Sequence, residues 1–278
     1  MNRPHHTSDF VSNAAQRTPS MDNLQLAQRA RIGVIIPSTN TGVEYDLQKF
    51  YLDGVTWHPS RFWIELRDWS DEVASTGEDE NSVFERFLDL IRDEIPLSIR
   101  NVLSADVHHV MLGMSAETFW GGLEGNIEFE DKIRGYVGDV GLTTGAGAVR
   151  DALNAFGAKT ISVITPYPPV GDDNVRRFFN DIGFEVKGVK GLNRPSATAI
   201  AETTISDVLD AVREVDGDDV DAIVQCGTNL SCADLFPTLE HWLGKPMLPI
   251  NSACVWHTLR ACGIQDKITG KGRLFEEF

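Results

Sequence analysis

The residues best suited to chemistry stand together in the stretch DAIVQCGTNLSCADLF, residues 221–236. An apolar run ends in a thiol, Cys226, and passes through Gly227, Thr228 and Asn229 into a helix-like segment. A thiol at a strand end is a candidate nucleophile or base, and a nearby helix N-terminus would favour its thiolate. The opposing reading is that Cys226 is a small buried residue, the commoner fate of a cysteine. Gly227, Thr228 and Asn229 offer small side chains and successive N–H groups, the makings of an oxyanion hole for an enolate-like intermediate.

Three other loops carry polar residues of the same kind. In PSTNTGVEYDL, from Pro37, the hydroxyls and the Asn40 amide precede a helix whose free N–H groups would suit a carboxylate. In GMSAETFWGG, Gly113 permits close backbone approach to a ligand. In the same loop Ser115 can donate a hydrogen bond, Glu117 can carry a proton, and Phe119 and Trp120 can wall a cleft. In TPYPPVGDD, the stiff pair Pro168–Pro169 holds Tyr167 at a strand end with its hydroxyl available to a substrate. Ordinary helix caps, core aromatics and a surface turn are the bland alternatives for these loops. His108 and His109 are adjacent and face opposite sides of a strand, so they form no metal pattern. No metal site is expected. No dinucleotide or phosphate-binding glycine loop is present either.

Short β-branched runs alternate with amphipathic helices and must position these loops. Strand candidates are 31–37, 55–66, 106–113, 136–142, 160–166, 184–190, 221–227 and 246–251. The segments NSVFERFLDLIRDEIPLSIRNVL and DDNVRRFFNDIG are among the helix candidates. Such alternation implies parallel sheets flanked by helices, with ligands beyond the carboxyl ends of the strands. The order also repeats. ARIGVIIPSTN resembles KTISVITPYPP, ADVHHVMLGMSAETF resembles VDAIVQCGTNLSCAD, and TTGAGAVRDALNAFG resembles INSACVWHTLRACG. The expected architecture is α/β with two similar lobes, each a parallel sheet flanked by helices, and a site in the cleft between them. A disordered tail (1–28) precedes lobe 1 (29–140, with 252–278 packing back on it) and lobe 2 (141–251).

Composition narrows the function classes. A net charge of −16 argues against a nucleic-acid partner, whose phosphates need a basic face. No run of about 18 apolar residues exists to span a membrane. The four cysteines show no zinc spacing, and three lie in apolar segments, which fits a reducing, cytoplasmic compartment.

Taken together, RIGVIIPSTNTGVE, VMLGMSAETFWGG, TPYPPVGDDNV, DAIVQCGTNLS, LGKPMLPINSACVWHTLRACGI and GRLFEE resemble the aspartate/glutamate racemase superfamily. The resemblance is to the branch of maleate cis-trans isomerase and arylmalonate decarboxylase, and MSAETFWGG with VQCGTNLS is most similar to its ectoine-utilisation subgroup. It runs from about Arg31 to the end. It implies two lobes, a cleft site and no metal or organic cofactor, with a homodimer as the expected assembly.

Within that family, racemases and isomerases use a cysteine at each of two strand ends, and decarboxylases use one on the second lobe and a glycine on the first. Here the first-lobe position matches Gly113. An ungapped second-lobe register places the family cysteine on Gly227, one residue after Cys226. Neighbouring strand residues face opposite sides, so that offset turns the thiol from the cleft unless the strand has already ended. The resemblance makes Tyr167, Asn40, Ser115, Thr228 and Asn229 substrate contacts. The expected activity is isomerisation, racemisation or decarboxylation at the carbon next to a carboxylate of a small carboxylic or amino acid. Cys226 and Tyr167 are its candidate catalytic residues. The alternative is a carboxylate-binding or regulatory module without a catalytic thiol.

Overall fold

The computed structural model describes residues 26–65 and 69–278. Most of the segment expected to be a disordered tail therefore lies outside the described residues. In chain order the first half comprises β1 (Ala30–Pro37), α1 (Gly42–Leu47), β2 (Val55–Phe62), α2 (Trp69–Thr76) and α3 (Glu80–Leu103). It continues with β3 (His109–Leu112), α4 (Ala116–Phe119), α5 (Gly122–Val137), β4 (Gly141–Thr143) and α6 (Gly145–Phe156). The second half comprises β5 (Thr160–Thr165), α7 (Pro169–Asp181), β6 (Glu185–Gly191), α8 (Ile205–Val215) and β7 (Ala222–Gln225). Then come α9 (Leu235–Leu243), β8 (Met247–Pro249), α10 (Ile250–Ala261) and α11 (Arg273–Glu277).

Two four-stranded sheets result, in the orders β2-β1-β3-β4 and β6-β5-β7-β8, and every pairing is parallel. The orders correspond strand for strand, as the repeated sequence order implies. The central strands are apolar on both faces because helices cover both: Ile32, Val34, Ile35 and Ile36 of β1 are fully buried, as are Ile161, Val163 and Ile164 of β5. In each sheet the first and third strands lie side by side, so their following loops meet at one edge. That puts the loops after β1 and β3 in one lobe opposite those after β5 and β7 in the other.

Several strand expectations change: β2 stops at Phe62 within 55–66, β3 covers only His109–Leu112 of 106–113, and β7 only Ala222–Gln225 of 221–227. Residues 136–142 do not form one strand, because Tyr136 and Val137 close α5, which stops at Gly138 in a positive-φ conformation (φ 69°) that a side chain disfavours. The three-residue β4 that follows pairs with His109–Met111 of β3. It therefore belongs to the first sheet, although residue 141 was the expected start of the second lobe. The expected strand 246–251 is also shorter, since Ile250 and Asn251 already open α10. Helix α10 leaves the second sheet and packs against α6, α1, β3 and β4 of the first half.

Helix termini follow local chemistry. The Asp79 side chain caps α3 by accepting from Asn81 and Ser82 N–H, and Thr204 with Asp207 forms a reciprocal capping box on α8.

Candidate active site

A cavity of about 70 Å³ lies where the strand-end loops of the two sheets meet. By the same measure a single water needs roughly 10–15 Å³, so the space suits a small organic acid. Its polar side is formed by Asn40, Ser115, Glu117, Tyr167, Thr228 and Asn229, all 6 % exposed or less. The loops thus converge as expected, and Gly227 also lines the space.

These polar groups are hydrogen-bonded to one another across the two halves. The Ser115 and Tyr167 hydroxyls share a hydrogen bond of 2.9 Å. Asn40 Nδ2 donates to Thr228 Oγ1 at 3.0 Å, and Thr228 Oγ1 donates to the Gly113 carbonyl at 3.1 Å. Gly113 itself is buried, held by its N–H to the Ile35 carbonyl (2.8 Å), and takes part through this carbonyl rather than by lining the cavity. Asn229 Oδ1 accepts from the N–H groups of Thr41 (2.9 Å) and Gly42 (3.0 Å). The first-loop N–H groups expected to await a carboxylate are therefore occupied by the Asn229 side chain. Ser115 does not act as a side-chain cap of α4, and its hydroxyl turns instead to Tyr167 in the cleft.

Cys226 does not line this cavity. It is fully buried, its N–H donates to the Ile164 carbonyl (2.9 Å), and burial, then Asp172 and Cys254, push the thiol well above its ordinary range. The expectation that a helix N-terminus would make it a thiolate is not met, because desolvation opposes the charged form. Strand β7 ends at Gln225, and the chain turns through Gly227 at φ +94°. A Cβ built on Gly227 would stand 2.5 Å from Pro166 Cδ. The position that the resemblance reserves for a cysteine thus has neither the backbone conformation nor the space for one. Gln225 fixes this turn: it is fully buried, and its Nε2 donates to the carbonyls of Cys226 and Gly227 (2.8 Å for the latter). A buried glutamine ending an apolar run was the sequence signal for that support.

Tyr167 and Glu117 differ in how they hold protons. Burial pushes the Tyr167 hydroxyl far above its usual range, so it stays protonated and acts as a donor. Burial also raises the Glu117 carboxyl, to about 7, against the opposing pull of Arg92. Arg92 Nε donates to Glu117 Oε2 at 2.7 Å, while the buried Oε1 has no hydrogen-bond partner among the described residues.

The apolar side of the cavity was not foreseen. Phe84, Phe87, Leu88 and Ile91 of α3 line it, with Trp69 of α2 and Ile64 alongside. With Arg92 these α3 positions follow the i, i+3, i+4, i+7, i+8 spacing of one helical face, the signal that could have revealed them. Trp69 packs edge-on to Phe84 with ring centroids 5.2 Å apart. Phe119, expected to wall the cleft, is instead a core residue packed edge-on to Phe178 and tilted against Phe179, and Trp120 lies outside the lining.

The two corresponding parallel sheets have the aspartate/glutamate racemase-like fold, which the solved structures described below share. The arylmalonate decarboxylase family model matches residues 81–275, and the chain belongs to that family. Over 256 residues it is 24 % identical to a maleate isomerase of Nocardia farcinica, covering 89 % of this chain and 96 % of that protein. An arylmalonate decarboxylase of Bordetella bronchiseptica is 28 % identical over 139 residues, 49 % of this chain and 58 % of that one. Among solved structures, the Nocardia farcinica maleate cis-trans isomerase with a covalently bound succinylcysteine intermediate superposes with a TM-score of 0.78 at 21 % identity, covering 90 % of this chain and 99 % of that one. A liganded arylmalonate decarboxylase variant gives 0.74 at 21 % identity, covering 90 % and 100 %.

Proposed function

We propose that the protein is a cofactor-independent enzyme acting at the carbon next to a carboxylate of a small carboxylic or amino acid, by isomerisation, racemisation or decarboxylation. One observation carries this reading: the Ser115–Tyr167 hydroxyl pair lies buried between the two sheets and faces a cavity sized for a small acid. Two neutral donors in a water-poor site would hold a carboxylate and gain strength as it becomes an enediolate. Asn40, Thr228 and Asn229 would exchange their present cross-cleft bonds for bonds to the substrate. The apolar wall of α2 and α3 would receive the substituent on the reacting carbon and exclude water. Membership of the arylmalonate decarboxylase family, and relatives named as maleate isomerases, support the same class of chemistry. Long-range repulsion from a net charge of −16 favours a monoanion or zwitterion over a dianion, and an amino acid derived from ectoine has that form. A cytoplasmic homodimer belongs to this proposal; exposed Trp63 and Trp242 offer apolar surface for such an interface.

A carboxylate-binding or regulatory module is the second reading. It is favoured by the absence of any thiol lining the cavity and by the lack of space for one at Gly227. Incubating the purified protein in D2O with maleate, phenylmalonate and a set of amino acids, followed by proton NMR for new species and for loss of the α-proton signal, separates the two. Product or α-proton loss from any of these acids supports the enzyme, whereas saturable binding with neither from any acid selects the binding module.

A further inference from the structure

We propose that Glu117 is the proton carrier of this site, exchanging the proton on the carbon next to a carboxylate held by Ser115 and Tyr167. This rests on the enzyme reading above and assigns its chemistry to a group other than a cysteine.

Four observations support the assignment. Glu117 lines the cavity and is 1 % exposed. It lies in α4, whose N-cap residue is Ser115, and both residues line the same cavity. Arg92 binds one carboxylate oxygen only, and Oε1 has no hydrogen-bond partner among the described residues. A buried oxygen with no hydrogen bond is costly unless something else satisfies it, and a substrate proton would do so. The competing groups are less suitable: Cys226 does not line the cavity, and burial keeps the Tyr167 hydroxyl protonated, so it donates to a carboxylate rather than taking a proton from carbon.

Charge supports the geometry. The Glu117 carboxyl is pushed up to about 7 by burial. Arg92 opposes this from α3 with its hydrogen bond and its charge, Lys132 opposes it from α5, and Asp89 on α3 adds to it. Near neutral pH both protonation states are populated, the condition that suits a general acid–base.

As a base, the Glu117 carboxylate takes the α-proton. The C–H electron pair moves into the substrate carboxylate to give an enediolate, stabilised by Ser115 and Tyr167. Once the protonated Glu117 has traded its proton with water, return of a proton to the same face of the carbon restores the carboxylate and leaves the α-carbon exchanged with its configuration retained. For a malonate-type substrate the C–C bond breaks instead, CO2 departs and its electron pair forms the same enediolate. Protonated Glu117 then supplies the proton to carbon and recovers it from water. Arg92 is a positioning residue in this scheme, aiming Oε1 by holding Oε2.

The test is deuterium wash-in at the α-carbon in D2O, read by proton NMR, with 2-methylbutyrate, 2-phenylpropionate, alanine and aspartate as probes. Wild type, Glu117→Gln and Arg92→Gln are compared across pH 5–9. Glu117→Gln should slow exchange at least about 100-fold, in keeping with a lost general base, while the dissociation constant of the same acid changes less than about fivefold. Arg92→Gln should move the inflection of the pH–rate curve upward, because a cation that favours the carboxylate is gone. Exchange in Glu117→Gln within about tenfold of wild type overturns the proposal and leaves the enzyme reading standing. Equal loss of binding and exchange also overturns it, since Glu117 would then only shape the pocket. Should Glu117→Gln not fold, an unmoved inflection in Arg92→Gln overturns it. Wild-type protein silent on every probe overturns the proposal, and if maleate and phenylmalonate also give no product the enzyme reading falls with it.

Discussion

Replacing Gly227 with alanine should destabilise the protein substantially, for two separable reasons. The residue has φ +94°, a conformation that L side chains rarely adopt, and its strain is worth about 1–3 kcal/mol. The added methyl would stand 2.5 Å from Pro166 Cδ, well inside van der Waals contact. Relieving such overpacking in a buried turn costs about 1–3 kcal/mol more. The sum, about 2–6 kcal/mol, corresponds to a fall in melting temperature of roughly 3–10 °C for a chain of this size. Scanning calorimetry of Gly227→Ala provides the measurement. Gly135→Ala is the matched control, because a Cβ there meets nothing within 4 Å and the site is an exposed helical position in α5. That change should be neutral or stabilise by up to about 1 kcal/mol. A Gly227→Ala protein melting within 1–2 °C of wild type would refute the reasoning from backbone conformation and space. It would also reopen Gly227 as a position able to carry a thiol.

Three other outcomes follow from the same structure. Asp46 is fully buried, accepts from Ser231 and Asn251, and has its carboxyl pushed up to about 6 by burial. Its folded-state pKa lies above the unfolded value, so wild type loses up to about 3 kcal/mol of stability as pH rises from 4 to 7. Urea titrations of Asp46→Asn should lack that loss, and a variant curve parallel to wild type would contradict it. Burial raises all four thiols, and only Cys262 is partly exposed, so native protein at pH 7.5 should resist iodoacetamide by mass spectrometry and react fully once unfolded. Fast alkylation at Cys226 in the native state would contradict its burial. Tyr167→Phe should weaken binding of a small carboxylate by roughly 10–100-fold, the loss of one hydrogen bond to a charged group, as read by calorimetric titration; unchanged affinity would remove Tyr167 from the cradle.

Much of the fold was legible in the sequence because period and repetition agree. The apolar runs at 31–37 and 160–166 became the matching central strands β1 and β5, and the loops after them met as their order implied. Residues 136–142 misled because an apolar run cannot show that its first two residues are the last turn of a helix. The polar members of the cavity lining were legible because Asn40, Ser115, Tyr167, Thr228 and Asn229 all sit just past strand ends. Their partners were not. Asn229 occupies N–H groups nearly two hundred residues away in sequence, and no local pattern records such a contact. The place of Cys226 depends on a single-residue turn at Gly227, where strand alternation no longer applies. Arg92 and the aromatic wall were hidden for another reason: an amphipathic face on α3 reads as core whether it covers a sheet or a cavity.

The most direct test of the central claim is wash-in of deuterium at the carbon next to a carboxylate, using protein dialysed against EDTA and stripped of small molecules. The account predicts exchange with at least one small carboxylic or amino acid, undiminished by metal removal and abolished by competing carboxylate that fills the cleft. Saturable binding of those acids without any exchange would contradict it and leave a cleft that only binds.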